Sequence, residues 1–444
     1  MSEYIRPDYQ DSFHCIADRC SFTCCCEWKI SVDPDTRKRW QTLRDPDHQD
    51  PLLTYTDCQG EECSVRLLPD HCCPFLDVNR LCRLVRHYGE EILSETCHIF
   101  PRQIHEFPDR TESSMVSCCP EIIDRWAERD HLVFYISKLP DNAAVGDIPP
   151  SVPQAEHSAH KDANPVTVVS SSPRSEHSTH EQEPPASFDH LQKIIPGRDS
   201  IPLTGDFLRD IRNLCMSLAA DTNGSCEEHL MQIFYILKEI DTRRSGAPDS
   251  HSRIDLTEYG SPAYGNDLLS AIRRMPTDPE SSLWERNELF LDLSENYRKE
   301  GLYRRFLDSA CETAEDLEGY SDVLPAYTSF LAVFHKWQPL MRNFLVSEIF
   351  SSLLVPEDLE YPDSFRSILI RTEWIAMEYS AILHMLFLSY IRSGCSEISY
   401  ETVRDSMILI SRMTGYDEED IEEYMENSFE NAVWDWGYLA LILS

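Results

Sequence analysis

The apolar positions of the second half of the chain follow a helical period. Between about residues 203 and 444 they recur at steps of three and four residues, a spacing typical of amphipathic helices. One such series is Leu208, Ile211, Leu214 and Leu218, and another is Leu340, Phe344, Ile349 and Leu353. Alternation of period two, which would indicate strands, is rare there. The pattern predicts an α-helical domain over residues 203–444.

The most apolar part of this domain is segment 364–392, which predicts a long helix. Its longest apolar run, Ile375–Ile391, still contains Glu378 and His384. That run is shorter than the ~20 residues that cross a bilayer, so we expect a buried helix and no membrane contact. The N-terminus has no cationic region followed by an apolar one, so we expect no signal peptide and a cytoplasmic protein.

The first 138 residues have short apolar runs, many turn residues and most of the cysteines. Residues 139–202 are instead rich in Pro, Ser, His, Glu and Thr. Such a segment buries too little apolar area to offset its ordering entropy, and it predicts a disordered insertion. The expected fold is mainly α, with a Cys-rich, metal-binding N-terminal module (1–138), the insertion (139–202) and the α-helical C-terminal domain (203–444).

The charge and the glycines exclude several classes of protein. A net charge of −37 disfavours binding to nucleic acid and favours lysine-bearing partners. The sequence contains no Gly-x-Gly, no P-loop and no Gly-x-Ser-x-Gly motif, which argues against dinucleotide-binding proteins, P-loop enzymes and standard α/β-hydrolases.

The cysteines suggest the chemistry of the protein. Of the 17, thirteen lie between Cys15 and Cys119, and several are adjacent in sequence. Adjacent cysteines pair only with strain, so disulfides are a poor explanation and metal ligands a better one for a cytoplasmic protein. Because no histidines stand at zinc-finger spacing, the candidates are a thiolate zinc site or an iron–sulfur cluster.

The cysteines form three blocks with distinctive surroundings. The first is CIADRCSFTCC followed by Trp28, and the third is SCCPE, which ends at Glu121. The second block contains CPFL, LCRL, GEEILSETC and FPR, which ends at Arg102. Taken together, these motifs resemble the flagellin lysine-N-methylases. One departure is Glu27, where a glycine is often expected before the tryptophan.

The resemblance implies an enzyme that transfers a methyl group from S-adenosylmethionine to lysine side chains of flagellin. It also implies a [4Fe-4S] cluster held by some of eight cysteines, of which a cubane takes four. The matching cysteines are Cys15, Cys20, Cys24, Cys25, Cys73, Cys82, Cys97 and Cys119. Trp28 and Arg102 are candidates for binding the methyl donor, through its adenine and its carboxylate, and both also suit purely structural roles.

Other interpretations remain open at this point. The protein can be a non-enzymatic zinc- or iron–sulfur-binding scaffold, or an electron-transfer protein. The chain lacks the Cys-x3-Cys-x2-Cys triplet of radical enzymes, so its spacing does not support standard radical chemistry. Cys58 and Cys63 suggest a second metal site. The sequence identifies no catalytic base.

Overall fold

The computed structural model describes residues 3–138, 164–167, 203–245, 254–360, 364–415, 420–421, 423–425 and 436–444. The insertion predicted over residues 139–202 lies outside this part of the chain, except for a four-residue strand at Asn164–Thr167. Its disorder, and the domain boundaries drawn around it, stay predictions.

The N-terminal part is built on a mixed five-stranded sheet and a separate hairpin. The strands are β1 Glu3–Pro7, β2 Thr56–Gln59, β3 Glu62–Val65, β4 Arg102–Glu106, β5 Arg110–Met115, β6 Val133–Lys138 and β7 Asn164–Thr167. The sheet has the order β4-β5-β1-β6-β7, in which β1 and β5 are parallel and the other neighbours antiparallel. β2 and β3 form the hairpin.

Four short helices belong to the N-terminal part, and the described residues after 202 form mainly helices. The first set is α1 Pro34–Trp40, α2 Arg83–Tyr88, α3 Glu95–Ile99 and α4 Pro120–Ala127. The second is α5 Gly205–Ala220, α6 Cys226–Ser245, α7 Leu256–Tyr259, α8 Pro262–Ile272, α9 Pro279–Glu300, α10 Arg304–Glu315, α11 Tyr320–Phe334, α12 Gln338–Ser352, α13 Ser364–Arg392, α14 Tyr400–Met413 and α15 Trp436–Leu443. The helical C-terminal part is thereby confirmed.

Local signals explain where several of these helices begin and end. The side chains of Thr204 and Ser399 accept hydrogen bonds from backbone N–H groups in the first turns of α5 and α14. Asp278 does the same for α9, which ends at Gly301 with a φ of +74°. Glycine adopts this left-handed conformation at no steric cost, so the chain can leave the helix there.

One large hydrophobic core joins the sheet to the helices. Trp126 of α4 and Phe134 of β6 lie in the same cluster of buried residues as Phe344 and Phe350 of α12. The ring centroids of Phe134 and Phe350 are 4.3 Å apart, and those of Trp126 and Phe344 are 6.4 Å apart. The N-terminal strands therefore pack directly against the helical part.

A second, smaller core lies under the cysteine-bearing loops between residues 28 and 97. It is formed by buried residues that include Ile30, Trp40, Leu52 and Phe75. The thiol-bearing residues Cys25, Cys73, Cys82 and Cys97 belong to it or pack against it. These loops thus have an apolar support of their own.

Helix α13 is the central helix of the C-terminal part. Phe365–Arg392 is long and apolar enough to cross a membrane, but 89% of its most apolar window is buried inside the fold. The expectation of a buried helix is therefore confirmed. Glu378 and His384 both face the interior, with exposures of 5% and 0%.

A buried cluster of three charges also joins the sheet to the helices. Arg212 of α5 and Arg110 of β5 both donate to the carboxylate of Glu112, and the Arg212 Nη2–Glu112 Oε1 distance is 2.8 Å. Burial alone would raise the pKa of Glu112, but the hydrogen bonds and charges of the two arginines outweigh it and lower that pKa. The carboxylate is therefore held ionised between two cations.

Replacing Glu112 with alanine should destabilise the fold strongly, because the buried guanidinium of Arg212 would lose its counter-charge and that of Arg110 would keep only the exposed Asp109. We expect the free energy of unfolding to fall by about 3–5 kcal/mol in urea titrations. Glu295→Ala is the control, since Glu295 forms an exposed ion pair with Lys299. Its effect should stay within about 0.5 kcal/mol. Equal effects of the two substitutions would contradict the role of the buried cluster.

Candidate functional site

The first and second cysteine blocks pair through their backbones. The N–H of Cys73 donates to the carbonyl of Cys25 at 2.7 Å, and the N–H of Glu27 donates to that of His71 at 2.8 Å. Cys26 and Cys72 form an antiparallel bridge between these contacts. The blocks lie about 45 residues apart in sequence and side by side in space.

Glu27 stands where a glycine is often expected, and its backbone has a conformation that suits glycine. Its φ of +68° lies in the left-handed region that favours glycine. A side chain at this position is strained, and Glu27 compensates with contacts to Tyr303, which precedes helix α10. The Glu27 carboxylate accepts from the Tyr303 N–H at 2.8 Å, and the Tyr303 hydroxyl donates to the Glu27 carbonyl at 2.9 Å. The cysteine loop is thereby fixed to the helical part.

Two disulfides correct the expectation that the clustered cysteines remain unpaired. Cys26 bonds to Cys72, and Cys58 bonds to Cys63. Cys58 and Cys63 face each other across the β2–β3 hairpin, with their Cα atoms 4.1 Å apart, instead of offering a second metal site. None of the four is among the eight cysteines that match the family motifs, and those eight are free.

Four of the free thiols lie within electrostatic reach of one another. The Cys73 thiol interacts with those of Cys25, Cys82 and Cys97, and the Cys97 thiol interacts with those of Cys25 and Cys82. Burial raises the pKa of Cys73, of Cys82 and of Cys97, the last to about 11. Three separate segments thus bring these four thiols together, and we call them the four-thiol group.

Of the other four motif cysteines, Cys24 adjoins this group, since its thiol interacts with those of Cys25 and Cys97 as well as with that of Cys15. Cys20 interacts with Cys15, and Cys119 interacts with Cys20. Cys119 is buried in the large core at the start of α4, while Cys15 is exposed. Cys24 lies next to Cys25 and lowers the pKa of that thiol through a hydrogen bond.

The four-thiol group is an all-thiol donor set that lacks the compactness of a single-ion site. Tetrahedral zinc at ~2.3 Å from each sulfur requires all four sulfurs to stand close together. Among the described residues, no group of three or more His, Cys, Asp or Glu side chains has that compactness. A cubane is wider than one ion, so its thiolates stand farther apart, and its soft iron centres match an all-thiol donor set.

Trp28 and Arg102 line a groove beside the four-thiol group. The Trp28 indole donates to the Cys24 carbonyl and meets the ring of Phe100 edge to face, with centroids 4.9 Å apart. The groove has a volume of about 640 Å³, and its rim carries acidic side chains that include Asp33 and Glu95. The Arg102 guanidinium lies 5.5 Å from the ring of Phe13. Within the part of the chain that the structure describes, it makes no ion pair.

A second cavity of about 620 Å³ lies behind the groove, between the cysteine loops and the helical part. Trp28, Phe100 and Val116 line both spaces and so form a common wall. Helices α12, α13 and α14 supply most of the far side. The volume is within the ~300–1,000 Å³ typical of ligand sites.

Of the three glutamates that line this cavity, Glu348 and Glu378 interact through their charges, whereas Glu357 is exposed. Glu378 of α13 is 5% exposed, and the hydroxyl of Ser411 donates to its Oε1 at 2.7 Å. Glu348 of α12 is half-buried, close to the hydroxyl of Ser117. Burial raises the pKa of both groups, and the charge of Glu378 raises that of Glu348 further. We call Glu348 and Glu378 the carboxyl pair.

Arg412 of α14 connects the cavity to the cysteine loop. Its guanidinium donates to the carbonyl of Phe22 at 2.9 Å and to that of Cys118 at 3.4 Å. It also lies over the ring of Trp28, 5.0 Å from its centroid. A hydrogen bond from Cys24 lowers the pKa of Cys25 most, and a hydrogen bond from Thr23 and the charge of Arg412 lower it further. The loop that carries Cys25 is therefore held by the helical part.

Comparison with known proteins assigns the helical part to a family. Residues 212–442 match the family model described as the FliB lysine N-methylase C-terminal domain. This match covers half of the chain. The chain belongs to the FliB lysine N-methylase family. The family predicted from the cysteine motifs is thus confirmed, through a region in which the sequence showed no distinctive short motif.

Individual relatives agree with this assignment. The chain is 32% identical over 147 residues to "Flagellar biosynthetic protein FliU" of Salmonella muenchen, which is 32% of this chain and 80% of that protein. It is also 32% identical over 126 residues to the "Lysine-N-methylase" proteins of Salmonella typhimurium and Salmonella choleraesuis. Those matches span 27% of this chain and 31% of each relative. No solved structure matches the chain.

Sequence reasoning missed the carboxyl pair and Arg412 of this FliB-family chain. One signal was present, because Glu378 interrupts an otherwise apolar run. A carboxylate in a buried helix costs free energy and is therefore a candidate functional residue. Glu348 and Arg412 stand among ordinary helical residues, so nothing local marks them. Glu121, the last residue of the third block, forms an ion pair with Arg125 one turn later in α4.

Replacing Glu378 with glutamine should stabilise the FliB-family fold at alkaline pH. A carboxyl whose folded pKa is raised costs stability as the pH rises from its ordinary pKa of 4.5 to the raised value, and this cost is complete above it. We expect a gain on the order of 2 kcal/mol at pH 8 that fades towards pH 5. Urea titrations at both pH values measure it, with Glu360→Gln, an exposed carboxyl, as the control. A loss of stability at pH 8 would contradict the burial of an unpaired charge.

Proposed function

We propose that this protein is a protein-lysine N-methyltransferase that transfers a methyl group from S-adenosylmethionine to lysine side chains of flagellin. The observation that carries the proposal is the position of the 620 Å³ cavity. Helices of the family-matched region line it on one side, and the cysteine loops line it on the other. The relatives named lysine-N-methylase and flagellar biosynthetic protein support the reaction and the kind of substrate.

The electrostatics of the chain agree with a lysine-bearing substrate. The net charge is −37, and the groove in front of the cavity carries four carboxylates, at Asp33, Glu61, Glu62 and Glu95, against two cations, at Lys29 and Arg102. A surface with an excess of one sign attracts a partner of the opposite sign and raises the rate of encounter. A lysine-rich protein segment therefore fits this face better than nucleic acid does.

The proposal includes a [4Fe-4S] cluster held by Cys25, Cys73, Cys82 and Cys97. Burial next to an apolar core and an all-thiol donor set support this choice among the eight motif cysteines. Such a cluster supplies either a structural crosslink between distant loops or an iron with an open coordination position. Because most of the cysteines, including all eight motif cysteines, are free alongside the two disulfides, the proposal also includes a cytoplasmic location.

Arg102 is the residue that we propose for the carboxylate of the methyl donor. It lines the groove, makes no ion pair among the described residues, and lies near the aromatic wall of Trp28 and Phe100. A guanidinium binds a carboxylate through two parallel hydrogen bonds. The electron-rich faces of the two rings suit a sulfonium cation.

The reaction is tested with anaerobically purified protein, flagellin and S-adenosylmethionine. Mass spectrometry should show a gain of one methyl group per modified lysine. Arg102→Ala should raise the KM for the donor roughly tenfold, since one charged hydrogen-bonded contact is lost. Arg274→Ala, an exposed arginine elsewhere, should leave it unchanged. Absence of methylation by the cluster-loaded wild type would overturn the proposed function and favour a non-enzymatic scaffold.

The cluster assignment is tested by its metal content. We expect about four irons and four sulfides per chain in the wild type. Serine at Cys25, Cys73, Cys82 or Cys97 should remove most of the iron and sulfide, whereas serine at Cys15 or Cys119 should not. Cys395→Ser, at an exposed thiol of the helical part, is the control. Stoichiometric zinc without sulfide would refute the cluster.

A further inference from the structure

We infer that Glu348 and Glu378 form the site that binds the ε-ammonium group of the substrate lysine, and that one of the two carboxylates accepts its proton. The inference rests on the proposed function and adds the residues that carry out its acid–base chemistry. It starts from the cavity between the cysteine loops and helices α12, α13 and α14.

The shape of the cavity suits a long side chain with a cationic end. Trp28 and Phe100 stand on the wall that the cavity shares with the groove, and Trp374 lines it further in. Aromatic and apolar walls accommodate the methylene chain of a lysine and attract its cation. The carboxyl pair, which lines the same cavity, provides the negative charge that an ammonium group requires.

The carboxyl pair has no cation of its own within the described parts of the chain. Two arginines line the same cavity, but each is engaged elsewhere. Arg371 donates to Asp358, with its Nη1 2.7 Å from Oδ2, and Arg412 donates to backbone carbonyls. Two desolvated carboxyl groups that interact with each other and lack a paired cation are costly to ionise together. An entering ammonium group removes that cost, because it supplies the missing positive charge.

The titration of the pair supports the same role. The charged and titratable groups that face it from the surrounding elements are Cys118, Glu357, Arg371 and Arg412. Burial raises the pKa of both carboxyl groups, so they can gain and lose a proton closer to neutral pH than an exposed glutamate can. A lysine ammonium, whose pKa is about 10.4 in water, needs such an acceptor to become a nucleophile.

The proposed step balances in atoms and charge. One carboxylate takes a proton from the ε-ammonium group and becomes a neutral acid, which leaves a neutral amine with a lone pair. The lone pair forms the new N–C bond to the methyl carbon of the sulfonium donor. The C–S bond breaks, and its electron pair stays on sulfur as a thioether. The products are a methylammonium group and one proton, which the carboxylic acid releases to solvent.

The kinetic test uses Glu348→Gln and Glu378→Gln in the full-length, cluster-loaded protein, with Glu360→Gln as the charge-matched control. We expect each cavity substitution to reduce kcat by roughly 100-fold or more at pH 7.5, and the control to retain the wild-type rate. The residual rate of the variants should rise about tenfold per pH unit as free amine forms in solution, more steeply than the wild-type rate. Wild-type rates and pH profiles in both variants would overturn the inference.

A binding test separates this inference from the proposed function. Butylammonium chloride, titrated into the protein by calorimetry, probes the ammonium site without flagellin or methyl donor. We expect binding to the wild type and to Glu360→Gln, and loss of binding in the Glu348→Gln/Glu378→Gln double variant. Equal binding by the double variant, or no binding by the wild type, would refute the site. A wild type that binds butylammonium but methylates no flagellin would refute the proposed function and leave the ammonium site supported.

Discussion

A single buried guanidinium, that of Arg412, holds the two halves of the site together. It is 7% exposed and reaches from helix α14 to the carbonyl groups of Phe22, Thr23 and Cys118. Burial of a charge without a carboxylate partner is costly, so the carbonyl dipoles and the aromatic faces around it must compensate. The guanidinium is thereby fixed against the loop of Phe22 and Thr23 and against the loop of Cys118. These loops lie on one side of the cavity.

The electrostatic environment differs between the cysteine loop and the cavity. At the loop, a hydrogen bond from Cys24 lowers the pKa of the Cys25 thiol, and the charge of Arg412 adds to this effect. Farther into the helical part, desolvation dominates at Glu348 and Glu378 and favours their neutral forms. The cavity therefore resists negative charge until a cation arrives, since burial raises the pKa of Glu348, Glu378 and Cys118 alike.

The sequence predicted those features that depend on local pattern. The apolar period of three to four residues identified helices α5 and α12, and the run after Ile375 identified the buried helix α13. The family followed from short cysteine motifs. The disulfides did not follow, because pairing of Cys26 with Cys72 depends on two loops that meet only in the folded chain. The carboxyl pair was missed for the same reason, since Glu348 and Glu378 meet across two helices.

The large hydrophobic core that joins the sheet to the helices constrains the order in which the chain can fold. The small core beneath the cysteine loops is formed by residues between 30 and 92, so it needs only contacts that are fairly close in sequence. The large core and the Arg412 contacts join residues that lie several hundred positions apart, as with Phe22 and Arg412. Distant contacts form late, because long loops must close first. During synthesis the thiol-bearing loops can therefore take shape while the ribosome is still translating the helical part. The cavity closes only after α14 has emerged.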